Sequence, residues 1–336
     1  MKSLPLSLTL MLGGLISACG GGGGGGGGGV GIAPLPTAEL TQANQVVVAQ
    51  EAASTAFMPL LAAQTLTGAQ VTDEAVVFSL ARDQLQKLPS YMALAKSNSS
   101  LIGVIPNETV SCDVSGSMTV SASDPDNDGV VSAGDRVTVT SNNCVMAQGA
   151  LAGTLNFEFS SLTGALNSNN YNASVTLEFD QFSITSAALS ATVNGSLTMS
   201  IAMTGPNSSS ESMSTPTLSM TGTYAGQVRT RSLSNYTATA TTSPDATYGS
   251  LTQYDISGVV TSSALSSNAI AFATSTVLVR RNLDFYPYTG VISVTGANKS
   301  SIRMTALSAS QVKQELDADG DGTYEANITV AWNSLI

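Results

Sequence analysis

From about residue 109 onward the chain alternates apolar and polar side chains with a period of two, and this pattern sets the fold class. Met118, Val120 and Ala122 alternate with Thr119 and Ser121, and Leu155, Phe157 and Phe159 alternate with Asn156 and Glu158. Tyr171, Ala173, Val175, Leu177 and Phe179 repeat the pattern, as do Leu197, Met199, Ile201 and Met203. Tyr324, Ala326, Ile328, Val330 and Trp332 form the apolar side of an expected last strand, opposite Glu325, Asn327 and Thr329. Strands with one buried and one wet face belong to antiparallel sheets. No helical period interrupts the series, so βαβ crossovers are not expected. The sequence therefore predicts a mainly β chain over residues 106–336, an antiparallel up-and-down meander curved into a barrel or folded as a sandwich. Val193-Asn194-Gly195-Ser196 predicts a two-residue hairpin and Ala297-Asn298-Lys299 another turn, while residues 206–216 and 241–247 read as longer loops. Aromatic residues are 5% of the chain and form no paired girdles, which speaks against a membrane-spanning barrel.

Residues 37–105 have a different texture and predict a short helical segment that packs on the β-domain. Thr41 to Phe57, rich in Ala, Gln and Val, reads as a first helix that breaks at Met58-Pro59. A second is expected to be capped by Thr72 and stopped by Pro89. Asp73 and Glu74 lie in its first turn, and Arg82 and Lys87 lie toward its end, as the helix dipole favours. Val77, Ala81, Leu85 and Leu88 form one apolar stripe, the mark of a core-facing side.

The N-terminus reads as an address. Lys2 precedes an apolar stretch, Leu4 to Ile16, that is too short to span a bilayer. It ends in Leu15-Ile16-Ser17-Ala18-Cys19, which resembles the lipobox of bacterial lipoproteins. The resemblance implies a signal peptide over residues 1–18, cleavage before Cys19 and lipid attachment to that cysteine. Several acyl chains on one residue make a stable membrane anchor. Gly20 stands where an Asp is the inner-membrane retention signal in that family, so the resemblance points to an outer-membrane lipoprotein of the cell envelope. Residues 19–36 then form a lipidated tether, whose unbroken run Gly20 to Gly29 reaches roughly 16–19 Å as a flexible coil.

Charge and composition remove whole classes of function. The chain carries 12 basic and 23 acidic residues, a net charge of −11, so nucleic acid is not an expected partner. Histidine is absent, which removes Ser-His-Asp and Cys-His nucleophile systems and His-containing zinc sites. Charged residues are only 10%, against roughly 25% in a typical soluble domain, so Ser, Thr, Asn and Gln must supply the polar surface.

Acids cluster twice. The twelve residues Asp124-Pro125-Asp126-Asn127-Asp128-Gly129-Val130-Val131-Ser132-Ala133-Gly134-Asp135 resemble the calcium loop of EF-hand and dockerin modules. The resemblance implies that Asp124, Asp126 and Asp128 are ligands and that Val130 offers its carbonyl. Ser132 offers a hydroxyl or a bound water, and Asp135 closes the site around Ca2+. The flanks read as strands, so the likeness covers the loop and not the two-helix module. Asp317-Ala318-Asp319-Gly320-Asp321-Gly322-Thr323-Tyr324-Glu325 is a shorter match, with Asp317, Asp319 and Asp321 at the same spacing, a Thr323 carbonyl and Glu325 reaching from position nine. Its twelfth position is Ile328, which leaves the coordination incomplete. A metal-free Asp-Gly turn is the alternative at both places.

With Cys19 assigned to lipid, Cys112 and Cys144 remain as a pair equidistant from Asp128, and a hairpin folded there brings them together in an oxidising compartment. Cys112 shares parity with Met118 and Val120, whereas Cys144 is out of step with Val137 and Val139. A one-residue bulge at Asn142-Asn143 reconciles them.

Catalytic candidates are thin. Glu158, Glu178 and Asp180 alternate with apolar residues and read as solvent-facing charge rather than a glycosidase pair. Ser310-Gln311-Val312-Lys313 matches a Ser-x-x-Lys pattern without its companion motifs. Phe285-Tyr286-Pro287-Tyr288 is the densest aromatic cluster. The expectation is a non-enzymatic envelope protein that acts by binding an envelope or surface partner, or by structure. The alternative is a carrier of an apolar ligand or lipid, with Met199, Met203, Met213 and Met220 lining a curved-sheet cavity. A carboxylate-dependent hydrolase ranks behind both.

Overall fold

The computed structural model describes residues 36–336 apart from 62–72, 99–103, 148, 167, 187–189 and 225–226. Cys19, the signal segment and the glycine run lie outside the described residues, as does Thr72. Two helices, α1 (Gln45–Leu61) and α2 (Asp73–Asn98), precede fourteen strands. The strands are β1 (Val104–Ser111), β2 (Ser115–Ser123), β3 (Arg136–Met146), β4 (Gly149–Gly164), β5 (Tyr171–Thr185), β6 (Ser190–Gly205) and β7 (Ser208–Tyr224). They continue as β8 (Gln227–Asp245), β9 (Gly249–Ser262), β10 (Asn268–Arg281), β11 (Thr289–Thr295), β12 (Ser301–Ser308), β13 (Gln311–Asp317) and β14 (Ala326–Ala331). All fourteen lie in one sheet in chain order, and every neighbouring pair is antiparallel.

The two helices fill the inside of this sheet. α2 packs on β1, β2, β5, β6 and β7, α1 packs on β9, β10 and β12, and the helices touch each other. Laid flat, twelve strands at about 4.8 Å spacing would span over ~50 Å, whereas two adjacent helices cover about 20 Å. The sheet therefore curls around the helix pair. One buried cluster runs through helices and strands alike, from Val48 and Leu85 to Leu155, Val260 and Trp332.

Bulges produce the curl. The register slips between Ser115 and Ser117, Ser141 and Cys144, Ala152 and Thr154, Phe179 and Phe182, and Gly195 and Thr198, on five successive strand pairs. Each bulge bends and twists its strand, and a row of them bends the sheet. Asn143 and Gln181 take positive φ in this row, with glycines facing them. A Cβ on Gly153, whose φ is +88°, would lie 2.2 Å from the Gln181 carbonyl oxygen. Gly153→Ala is expected to cost about 2–3 kcal/mol, read as a lower urea midpoint, because both the dihedral and the space forbid the side chain.

The expected Cys112–Cys144 disulfide is present, with Cα atoms 5.5 Å apart, and the bulge at Asn142-Asn143 that its parity required is there. Joining residues 32 apart restricts the unfolded chain by about 3–4 kcal/mol.

Several local expectations are corrected. Asn194-Gly195 is no hairpin turn; it lies inside β6, where the Asn194 Oδ1 accepts the N–H of the bulged Gln181 at 2.8 Å. Residues tolerant of positive φ serve a bulge as well as a turn. The segments 206–216 and 241–247 are largely strand, since β7 and β8 run through them. Pro216 is accommodated because the register of β6 and β7 slips beside it. α1 starts after Asn44, whose carbonyl accepts the first helical bond from Val48 at 2.9 Å, and continues past Pro59 to Leu61. α2 likewise runs through Pro89 to Asn98, because Tyr91 and Met92 extend its buried side beyond the proline. At the far edge, β14 is only half covered: Ala326 and Val330 lie against the core as the alternation predicts, but Ile328 between them is 40% exposed. The residues just after this strand enter the core: Trp332, Leu335 and Ile336 are buried, with Trp332 edge-on to Phe57 of α1 at 6.0 Å.

Ion pairs fasten both helices to the sheet. Glu51 of α1 is fully buried and accepts from Arg231 Nε at 2.7 Å and Arg229 Nη1 at 3.1 Å, both on β8. Arg82 of α2 makes a two-bond fork with Glu211 of β7 at 2.8 and 3.0 Å. Sequence reading found none of these contacts, since partners 180 residues apart leave no local signal.

Candidate metal centres

Both acidic segments fold into the same loop. The first joins β2 to β3 and the second joins β13 to β14, so each occupies a hairpin at one edge of the open sheet. In the first, Asp124 Oδ2 accepts the N–H of Gly129 at 2.8 Å, Asp126 Oδ1 that of Asp128 at 3.4 Å, and Asp128 Oδ1 that of Val130 at 2.7 Å. In the second, Asp317 Oδ2 accepts from Gly322 at 3.0 Å, Asp319 Oδ1 from Asp321 at 3.2 Å and Asp321 Oδ1 from Thr323 at 2.6 Å. These are the same bonds at the same offsets. The backbone agrees, with positive φ at Asn127 and Gly129 and at Gly320 and Gly322. Positions four and six thus need residues that tolerate the left-handed region, and Asn and Gly do.

The carboxylates converge. Asp124, Asp126 and Asp128 each bring an oxygen within 4.8 Å of the others, and Asp317, Asp319, Asp321 and Glu325 do the same. Asp124 and Asp317 are buried at 2% and 5% exposure while their companions face solvent, giving each loop an inner wall and an open mouth. Ser132 donates its hydroxyl to Asp126 Oδ2 at 3.1 Å and its N–H to Asp135 Oδ2 at 2.7 Å. Asp135 is fully buried at the end of the loop, and the Phe159 N–H bonds to its carbonyl at 3.0 Å. Glu325 Oε2 accepts the Ala318 N–H at 2.9 Å, which folds position nine back over the second loop.

Among the described residues two oxygens in the first loop have no hydrogen-bond partner. Asp124 Oδ1 and Asp135 Oδ1 are buried and accept no hydrogen bond. Hydrogen bonds with Asp124 and Ser132 hold the Asp126 carboxyl below the ordinary carboxylate range. Burial, reinforced by the charges of Asp124 and Asp126, pushes Asp135 upward. An anionic oxygen removed from water without a donor costs several kcal/mol, and a hard cation relieves it. In the second loop both Asp317 oxygens already accept backbone N–H groups, so its inner wall is better satisfied.

Of the other candidates, Glu158 and Glu178 line one cleft of about 350 Å³ on the wet face of β3, β4 and β5, where Glu158 is paired with Arg136 at 2.9 Å and Glu178 accepts from Asn156 at 3.4 Å. Asp180 is exposed on β5 and does not line that cleft. Lys313 Nζ is bonded to Glu315 at 2.7 Å, and Ser310 lies in the turn before β13. Tyr286 stacks on Trp332 at 6.2 Å, beside a cleft of about 510 Å³ where Phe285 is half exposed. Met199, Met213 and Met220 are buried in the core they share with α2. Among the described residues no helix is long and apolar enough to cross a membrane. No family model, curated protein or solved structure matches the chain.

Proposed function

We propose that the chain is a lipid-anchored protein of the cell envelope whose open β-sheet is fixed at its edges by calcium, and that it acts by binding or by structure rather than by catalysis. The observation that carries the calcium part is the buried, partnerless carboxylate oxygen of Asp124, set in a loop whose hydrogen bonds recur in the second loop. An all-oxygen donor set fits a hard cation, and calcium accepts the irregular geometry of carboxylates, a carbonyl and a hydroxyl. Asp124, Asp126, Asp128 and the Val130 carbonyl would hold the ion in the first loop, with Ser132 and Asp135 completing it. Asp317, Asp319, Asp321, Thr323 and Glu325 would hold it in the second. A meander that is not closed has two edges, and edges are where strands fray. Disulfide and calcium stiffen the β1–β3 edge and calcium alone the β14 edge, which suits a module displayed outside the cytoplasm, where calcium is abundant.

Calorimetric titration of the full chain with calcium should resolve two sites. Asp126→Ala with Asp128→Ala should remove the tighter, and Asp319→Ala with Asp321→Ala the weaker. Absence of calcium-dependent heat would reduce both segments to turns. The anchor is tested separately: Cys19→Ser should move the protein from the membrane to the soluble fraction of the expressing bacterium. Retention on membranes after salt and carbonate washes would refute lipid attachment at Cys19.

A further inference from the structure

At one end of the strands the inner wall of the sheet changes character. Inward positions that carry Met213, Ala238, Ile256 and Leu278 toward the middle of β7, β8, β9 and β10 carry Ser209, Thr242, Thr252 and Arg280 toward this end. Between this wall and Arg82 of α2 lies a cleft of about 260 Å³, with Asn282 at its exposed rim. Thr252 is 6% exposed, and its Oγ1 lies 3.1 Å from that of Thr242, so these hydroxyls are more than a solvated rim.

The charges in the cleft do not cancel. Glu211 is neutralised by Arg82 through the two-bond fork. Arg280 donates its Nε to the Tyr254 hydroxyl at 2.8 Å and its Nη1 to the Asp284 carbonyl oxygen at 2.9 Å, both neutral acceptors. Among the described residues Arg280 has no ion pair within 4.0 Å. One partly buried guanidinium is thus uncompensated in a chain of net charge −11. A cation held away from water without an anion is costly, and Arg is the side chain best shaped to grip carboxylate or phosphate.

We infer that this cleft binds a small hydroxylated oxyanion, a phosphate monoester or a short carboxylate. Arg280 is its charge partner, and Ser209, Thr242 and Asn282 are its neutral partners. A cleft of about 260 Å³ suits an acid the size of glycerol 3-phosphate. The inference is independent of the anchor and of calcium.

The test is calorimetric titration of the full chain with glycerol 3-phosphate, glycerate and neutral glycerol. One or both acids should bind at one site and glycerol should not; whichever acid binds tells whether the group gripped is a phosphate or a carboxylate. Arg280→Gln should weaken binding tenfold or more, as expected for loss of a charge-assisted bond, and Arg280→Lys should restore part of it. Asn282→Asp, at an exposed position that folding tolerates, should also weaken binding by placing a like charge at the rim, whether or not Arg280→Gln folds. No heat with either acid, binding indifferent to the foldable substitutions, or equal binding of glycerol would overturn the assignment.

Discussion

Replacing Glu51 by Ala should destabilise the protein by about 3–5 kcal/mol, because it leaves Arg231, itself only 5% exposed, as a buried charge without its carboxylate. The measurement is urea unfolding, with the midpoint lowered and the slope unchanged. A double replacement, Glu51→Leu with Arg231→Met, should recover most of the loss, since an apolar pair of similar volume needs no desolvation of charge. A loss under about 1 kcal/mol in Glu51→Ala would mean that water reaches the site and that the pair does not fasten α1 to the sheet. The pair also gives a pH signature. Burial pulls the Glu51 carboxyl upward, but the hydrogen bonds and charge of Arg231, with Ser262 and Arg229, outweigh it and leave the pKa below the ordinary value of 4.5. The unfolded chain therefore takes up the proton first. The stabilisation is present in full above about pH 4.5 and is lost as pH falls through the lower folded value. The stability gap between the natural chain and Glu51→Gln should be flat above that pH and shrink below it.

Calcium is expected to raise thermal stability by a comparable amount. A ligand that binds only the folded state adds RT ln(1 + [L]/Kd), about 2.7 kcal/mol for a site at one hundred times Kd and about 5 kcal/mol for two. At roughly 2 °C per kcal/mol for a chain of this size, the melting temperature should rise by about 10 °C between chelator and saturating calcium. Asp126→Ala with Asp128→Ala should remove at least half of that rise, because the first loop holds the unsatisfied Asp124 and Asp135 oxygens. Asp319→Ala with Asp321→Ala should remove less, because the second loop has no acid at its twelfth position and its inner carboxylate is already bonded. Magnesium should give a smaller shift, since it asks for near-octahedral geometry and gives up its water reluctantly. Identical melting in chelator and in calcium would remove the metal from the account of this fold.

The two acidic loops were legible because all their determinants lie within a dozen residues. Carboxylates at alternate positions and Asn or Gly where φ must be positive are local requirements, and the loops close on themselves wherever the chain puts them. The Cys112–Cys144 bridge was legible for a related reason: the β2–β3 hairpin, one bulge and the short turn before β2 that holds Cys112 connect its ends. The Arg280 cleft was not, because it needs the inner wall of several strands and a helix from the other end of the chain.

By itself the sequence determined the class of the fold. Alternation fixes which side of each strand is buried, the lack of helical segments between strands requires antiparallel neighbours, and short connections order them as they come. It could not decide where strands end, because Asn194-Gly195 and Pro216 carry the same local preferences in a bulge as in a turn. Nor could it decide that α2 passes Pro89, since the burial of Tyr91 and Met92 against the sheet is what offsets the missing hydrogen bond. The exposure of Ile328 was equally hidden: an alternating strand at the edge looks like one in the middle until the sheet is assembled and leaves this strand at the rim of the core. Tertiary structure decided these points because each is a competition between a weak local preference and burial, and only the assembled sheet and helices determine how much surface there is to bury.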